Sequence, residues 1–389
     1  MKRRSNPFVR VLLLSALCLL PAQAAAAAQA HAASSEQLLN AFDGTIRDFD
    51  AARILWAAND GSTLWLHDRL NGGDAKIYDA SGTDTLVGPA KLSASGVVYN
   101  VNTRTGVWPP ASTVYAWANG AAAPIGSGED VKRVTDGGTV AVLTKHTVDL
   151  ATGQAREPGY DKADSAGGTA VYTAPSGPLQ TLALFRALPG GGAEQLAAPS
   201  AKVTQWFGWT LGYYGPLTDG GSILYRELVV LNNYHDMKWA LRLRGADGAV
   251  TTLALNPWAK GNYYVPNDDY RLNGGWVAYT AYHKEPNSWS LYVRSPQGTE
   301  KTAFEAPAGW SFSATQLRID ELAPDGTVAF TFNGKSELYD TKTDKVVGTA
   351  GGSSAYQYRE HAFAGGGDAS ARYGVWYRVS GGSLYAVRP

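Results

Sequence analysis

The chain has 389 residues, with 34 Lys plus Arg balanced by 34 Asp plus Glu, 44% hydrophobic residues and a single cysteine. A zero net charge without a basic cluster excludes the electrostatic footprint that nucleic-acid binding needs. One cysteine excludes an intrachain disulfide, so burial of a core must supply the stability, and a chain of this length can bury one.

In chain order, the first element is a leader. Lys2, Arg3, Arg4 and Arg10 form a positive start, Val11 to Leu20 an apolar run, and Ala22 to Ala33 a small-residue stretch with several cleavage sites, which together predict a secretory signal peptide over 1–33. The apolar run is too short for a retained anchor and is closed by Pro21, so no membrane insertion is expected after cleavage. Cys18 follows Leu17, where a lipoprotein signal wants a small residue, so lipidation is not expected. Loss of the four basic leader residues leaves 30 basic against 34 acidic residues, about −4, in a mature domain over 34–389 that is secreted or extracytoplasmic.

The mature chain repeats one unit: a small-residue turn, a short apolar strand, a gap and a second strand. The turn glycines Gly96, Gly138, Gly168, Gly221, Gly275, Gly326 and Gly374 stand 42, 30, 53, 54, 51 and 48 residues apart, and an eighth strand pair, Ala52 to Trp56 with Thr63 to His67, precedes them. Such a period with alternating or continuous apolar strands predicts an all-β single propeller of eight four-stranded blades, or seven if the short unit after Gly138 is an insertion. The last unit stops at Pro389 without an outer strand, and Glu36 to Phe42 is the segment available to close that blade. A monomer is expected.

The clearest copy is Leu322-Ala-Pro-Asp-Gly-Thr-Val-Ala-Phe330 with Glu337-Leu-Tyr339, and Leu272 to Val293 comes next. This Pro-Asp-Gly-x-(Val/Ile)-Ala-(Phe/Tyr)…Leu-Tyr pattern resembles the TolB-like branch of β-propellers, related to the WD-repeat architecture, in degenerate form over 48–389. The resemblance implies a scaffold that binds proteins or substrates, sometimes beside a hydrolase domain, and it transfers no functional residues.

With strands a to d running outward, the a–b turns are tight, as in Thr135-Asp-Gly-Gly138, Thr218-Asp-Gly-Gly221, Leu272-Asn-Gly-Gly275 and Pro324-Asp-Gly326. The opposite face is expected to carry long b–c connections over Asn100 to Ser112, Arg226 to Trp239 and Ala281 to Trp289, and function is expected there. Its candidate ligand-binding aromatics are Trp206, Trp209, Tyr213, Tyr214, Tyr234, Trp258, Tyr263, Tyr264, Tyr282, Trp289 and Trp310. Two readings stay open: they fill the wedges between blades, or they form a platform for a polysaccharide or the apolar groups of a surface protein.

A catalytic alternative is a polysaccharide lyase or glycosidase using His235, Asp236, His283 and Glu285 on neighbouring loops of that face. No metal-ligand spacing, nucleophile elbow or phosphate loop accompanies them, and Asn267-Asp268-Asp269 lacks calcium-loop spacing, so no metal or cofactor is expected. The sequence therefore favours a non-catalytic binding module.

Overall fold

The computed structural model describes residues 35–80, 83, 85–103, 111–155, 163–178, 180–188, 191–198, 212–231, 237–257, 269–309, 317–350, 356–359 and 375–388. They form eight antiparallel sheets. Blade 1 comprises Gly44–Phe49, Arg53–Ala58, Thr63–Asp68 and Asp74–Asp79; blade 2 comprises Thr85–Leu92, Gly96–Thr103, Ser112–Ala118 and Ala121–Ser127. Blade 3 has three strands among the described residues, Val131–Thr135, Val140–Leu143 and Thr147–Asp149, with a bridge from Val148 to Ala155. Blade 4 comprises Ala163–Ala166, Thr169–Ser176, Thr181–Ala187 and Ala193–Ala197; blade 5 comprises Tyr213–Thr218, Ile223–Val230, Met237–Arg244 and Val250–Pro257. Blade 6 comprises Tyr270–Asn273, Trp276–His283, Ser288–Arg294 and Glu300–Glu305; blade 7 comprises Leu317–Leu322, Val328–Phe332, Lys335–Asp340 and Lys345–Ala350. Blade 8 takes Tyr356–Arg359, Val375–Ser380 and Ser383–Arg388 from the end of the chain and Ser35–Ala41 from its start.

Inner strands of successive blades meet one another, and blade 1 meets blade 8, so the sheets close into an eight-bladed propeller. The short third unit is a blade of its own, which settles the count against seven. The expected closure is present: Ser35 pairs with Arg388 and Ala41 with Ser383. Among the described residues, no helix is long and apolar enough to cross a membrane.

The glycine-punctuated turns have a physical cause. Gly275 and Gly326 adopt φ of +79° and +88°, and a Cβ on Gly326 would lie 2.5 Å from the Trp276 ring, so neither position admits a side chain without strain. After each turn the second strand ends its apolar run on an aromatic in seven blades: Trp56, Tyr99, Tyr172, Tyr225, Tyr279, Phe330 and Tyr377. All but Trp56 are buried and fill the seams between sheets. The outer strands of blades 1, 2, 4, 5, 6 and 7 each carry a register shift against their third strand. Such bulges strengthen the twist and make the exposed edges poor templates for pairing.

Candidate functional site at the channel mouth

The face expected to carry function is built more tightly than the sequence suggested. The second strand of blade 5 runs on to Val230 and the third begins at Met237; in blade 6 the strands run to His283 and from Ser288, leaving only residues 284–287 between them. Apolar and β-branched residues in these stretches extend the hairpins, while 104–110 and 232–236 of the expected connections lie outside the described residues.

The described candidates follow from that correction. Trp289 is a strand residue, 1% exposed, in a core cluster that continues into Leu317 and Phe330 of blade 7, with Tyr282 packed on it at 5.6 Å. Tyr213 is 5% exposed, and its hydroxyl donates to the Ala198 carbonyl at 3.1 Å. Neither offers a ring to a ligand; both fill seams. Tyr214 is half-buried with its ring 6.3 Å from Trp239, and the half-buried Tyr282 donates through its hydroxyl to Asn287 Oδ1 at 2.7 Å. Trp206, Trp209, Tyr234, Trp258, Tyr263, Tyr264 and Trp310 lie outside the described residues, as do His235 and Asp236. His283 ends a strand with Nε2 3.1 Å from the Tyr292 hydroxyl, whereas Glu285 is exposed in the following turn. Asp269 is committed to the fold: it accepts from the Ile319 amide at 3.0 Å and pairs with Arg271 at 2.5 Å.

The cavity lies at the other end of the ring. A space of about 480 Å³ opens where the inner strands run into the a–b turns, lined by Asp48, Asp50 and Arg53 of blade 1, Lys91 to Ala94 of blade 2, Arg133, Gly137 and Gly138 of blade 3, and Glu321 of blade 7. Blade 7 stands across the ring from blade 3, so this cavity is the mouth of the central channel.

Three of its charged side chains, Asp48, Arg53 and Arg133, are held by bonds that cross from blade to blade, and Asp164 and Asp269 make similar bonds behind the wall. Asp48 accepts from the Leu92 amide at 2.9 Å, Asp164 from the Thr218 amide at 2.8 Å, and Asp269 repeats the device between blades 6 and 7. Arg53 donates to Asp50 from Nε and Nη2 at 2.8 and 2.6 Å and to the Ser93 carbonyl at 2.8 Å. Arg133 pairs with Asp164 at 2.7 Å and donates to the Ser165 and Thr218 carbonyls at 3.1 and 3.3 Å. Burial pushes the Asp164 carboxyl up, opposed chiefly by Arg133. Burial is the largest single influence on the Arg271 guanidinium and works to lower it, but Asp269 beside it, Glu321 and Asp320 together outweigh that and raise it.

Reasoning from the sequence missed this site because inner strands carry no motif. A signal was present all the same: Lys91, Arg133 and Glu321 each stand five residues before a turn glycine, at Gly96, Gly138 and Gly326. A charge recurring at that place in otherwise apolar repeats marks the channel wall.

The geometry defines an eight-bladed β-propeller with a charged channel mouth. No protein-family model and no curated protein matches the chain. Solved structures that resemble it include an uncharacterized protein from Listeria monocytogenes, at 12% identity and TM-score 0.42 over 82% of this chain and 97% of that one. The propeller domain of the Trilobed protease from Pyrococcus furiosus resembles it at 10% identity and TM-score 0.44, over 78% and 95% of the two chains. A putative TolB from Agrobacterium tumefaciens matches at 13% identity and TM-score 0.29, over 56% and 87%. No family model places the chain in the TolB-like branch.

Proposed function

We propose that this protein is an exported, non-catalytic binding module that captures a surface or cell-envelope protein at the mouth of its channel. Export rests on the leader over 1–33. The observation that carries the rest is a preformed cavity whose charged walls come from four blades and are fixed by cross-blade hydrogen bonds, the pre-organisation that lowers the ordering cost of binding.

The mouth suits a protein segment better than a polysaccharide. Phe49 is the one lining residue with an aromatic ring, and it is buried, so no ring face is offered to a sugar. A polysaccharide on the opposite face would depend on Trp206, Trp258, Tyr263 and the other aromatics beyond the described residues. The lyase or glycosidase reading draws no support from His283, bonded to Tyr292, or from Glu285, exposed in its turn.

The test is a side-by-side screen of the exported chain on surface-protein peptide arrays and glycan arrays, with a Lys91→Glu variant checked for an unchanged melting temperature. Peptide binding lost in the folded variant is the expected result. Glycan binding indifferent to Lys91→Glu contradicts the proposal and returns the site to the opposite face.

A further inference from the structure

Resting on the mouth as the binding site, we infer that it recognises the free carboxylate at the end of a peptide chain, with Lys91 as the anion anchor. Three cations and three carboxylates line the mouth: Arg53, Lys91 and Arg133 against Asp48, Asp50 and Glu321. Their charges sum to zero, which disfavours a polyanion such as a uronate polymer or a phosphorylated ligand.

The charges are not equally available. Arg53 is held by Asp50 and the Ser93 carbonyl, and Arg133 by Asp164 and two carbonyls. Among the described residues, Lys91 is the lining cation with no hydrogen bond or ion pair to another side chain or to the backbone. The single ammonium of the half-buried Lys91, lacking a counter-ion, matches a single carboxylate, and the pair is strengthened by partial exclusion of water.

The surroundings fit a chain end. The half-buried Val134 gives the cavity an apolar contact for the terminal side chain, and 480 Å³ lies within the range of small-ligand sites. At the rim, a Cβ added to Gly137 would meet nothing within 4 Å, which leaves room for the rest of the chain to pass out over the turn of blade 3. Glu321 across the channel opposes a second negative charge, so peptides ending in Asp or Glu should bind worst.

The experiment titrates the exported chain with a mixture of tetrapeptides carrying free C-termini and with the same mixture C-terminally amidated. The free acids are expected to bind about tenfold tighter, the effect of one charge-assisted contact. Lys91→Gln should erase the difference at an unchanged melting temperature, and Lys91→Arg should keep it. Equal binding of both mixtures overturns the carboxylate assignment while leaving the mouth as a binding site. Binding of neither overturns it too, and the proposed function falls with it only if the surface-protein array is also blank.

Discussion

Asp164 and Lys91 mark the two uses to which this chain puts charge. Asp164 is buried and accepts from Arg133 and from the Thr218 amide, which ties blades 3, 4 and 5 together. Asp164→Asn keeps the shape but removes the charge facing the partly exposed Arg133, and the loss of one charge-assisted hydrogen bond costs roughly 1–3 kcal/mol. Lys91→Ala removes nothing the fold depends on and should change stability by less than about 0.5 kcal/mol. Chemical denaturation of both variants measures the contrast; equal effects would contradict the division into structural and ligand-facing charge. Gly326 is a third decisive residue. Valine there would combine a β-branched side chain at φ +88° with overlap of the Trp276 ring, so Gly326→Val should lose about 2 kcal/mol or more, read as a lower denaturation midpoint.

Among the elements, the closing strand Ser35–Ala41 matters most, because it joins the two ends of the ring through its ladder with Ser383–Arg388. Deleting residues 35–41 should leave blade 8 with an unpaired edge and produce aggregation together with a lower melting temperature, measured by light scattering during a thermal ramp. A deletion that melts like the intact chain would show the closure to be dispensable. This strand was legible in the sequence because the last repeat lacks an outer partner and Glu36 to Phe42 was the only segment left. The blade count was legible from the turn glycines, whose positive φ values explain their recurrence. The extent of the hairpins on the expected face was not. Arg226 to Trp239 and Ala281 to Trp289 read as loops because polar residues such as His283 and Asn287 interrupt them, yet hairpin pairing extends the strands through most of both stretches. The mouth escaped notice for the opposite reason: its charges are scattered over blades 1, 2, 3 and 7, and only closure of the ring brings them together.

At the scale of the whole molecule, stability is spread over the seams, with a buried second-strand aromatic in six of the eight blades. Burial raises the Tyr99 hydroxyl to about 12, and it raises Tyr213, Tyr225, Tyr279 and Tyr339 as well; nearby carboxylates add to the effect at the last four. Each folded value lies above the unfolded one, near 10, so the stabilising contribution is complete below pH 10 and is lost as pH rises through the folded values. The propeller should therefore lose stability progressively above pH 10, with tyrosinate absorbance appearing together with loss of tertiary signal. Tyrosinate that forms fully while the fold persists would contradict the seam assignment. The same distributed seams make the ring a rigid frame, and a rigid frame is what lets four blades present their charges at fixed positions.

The central claim is that this frame binds its partner at the channel mouth and not on the opposite face. Hydrogen exchange of the chain over 34–389 with and without the tetrapeptide mixture tests it most directly. The account predicts added protection over 48–53, 91–94 and 133–138, with no change over 226–239 or 281–289. Protection confined to those last two segments would contradict it.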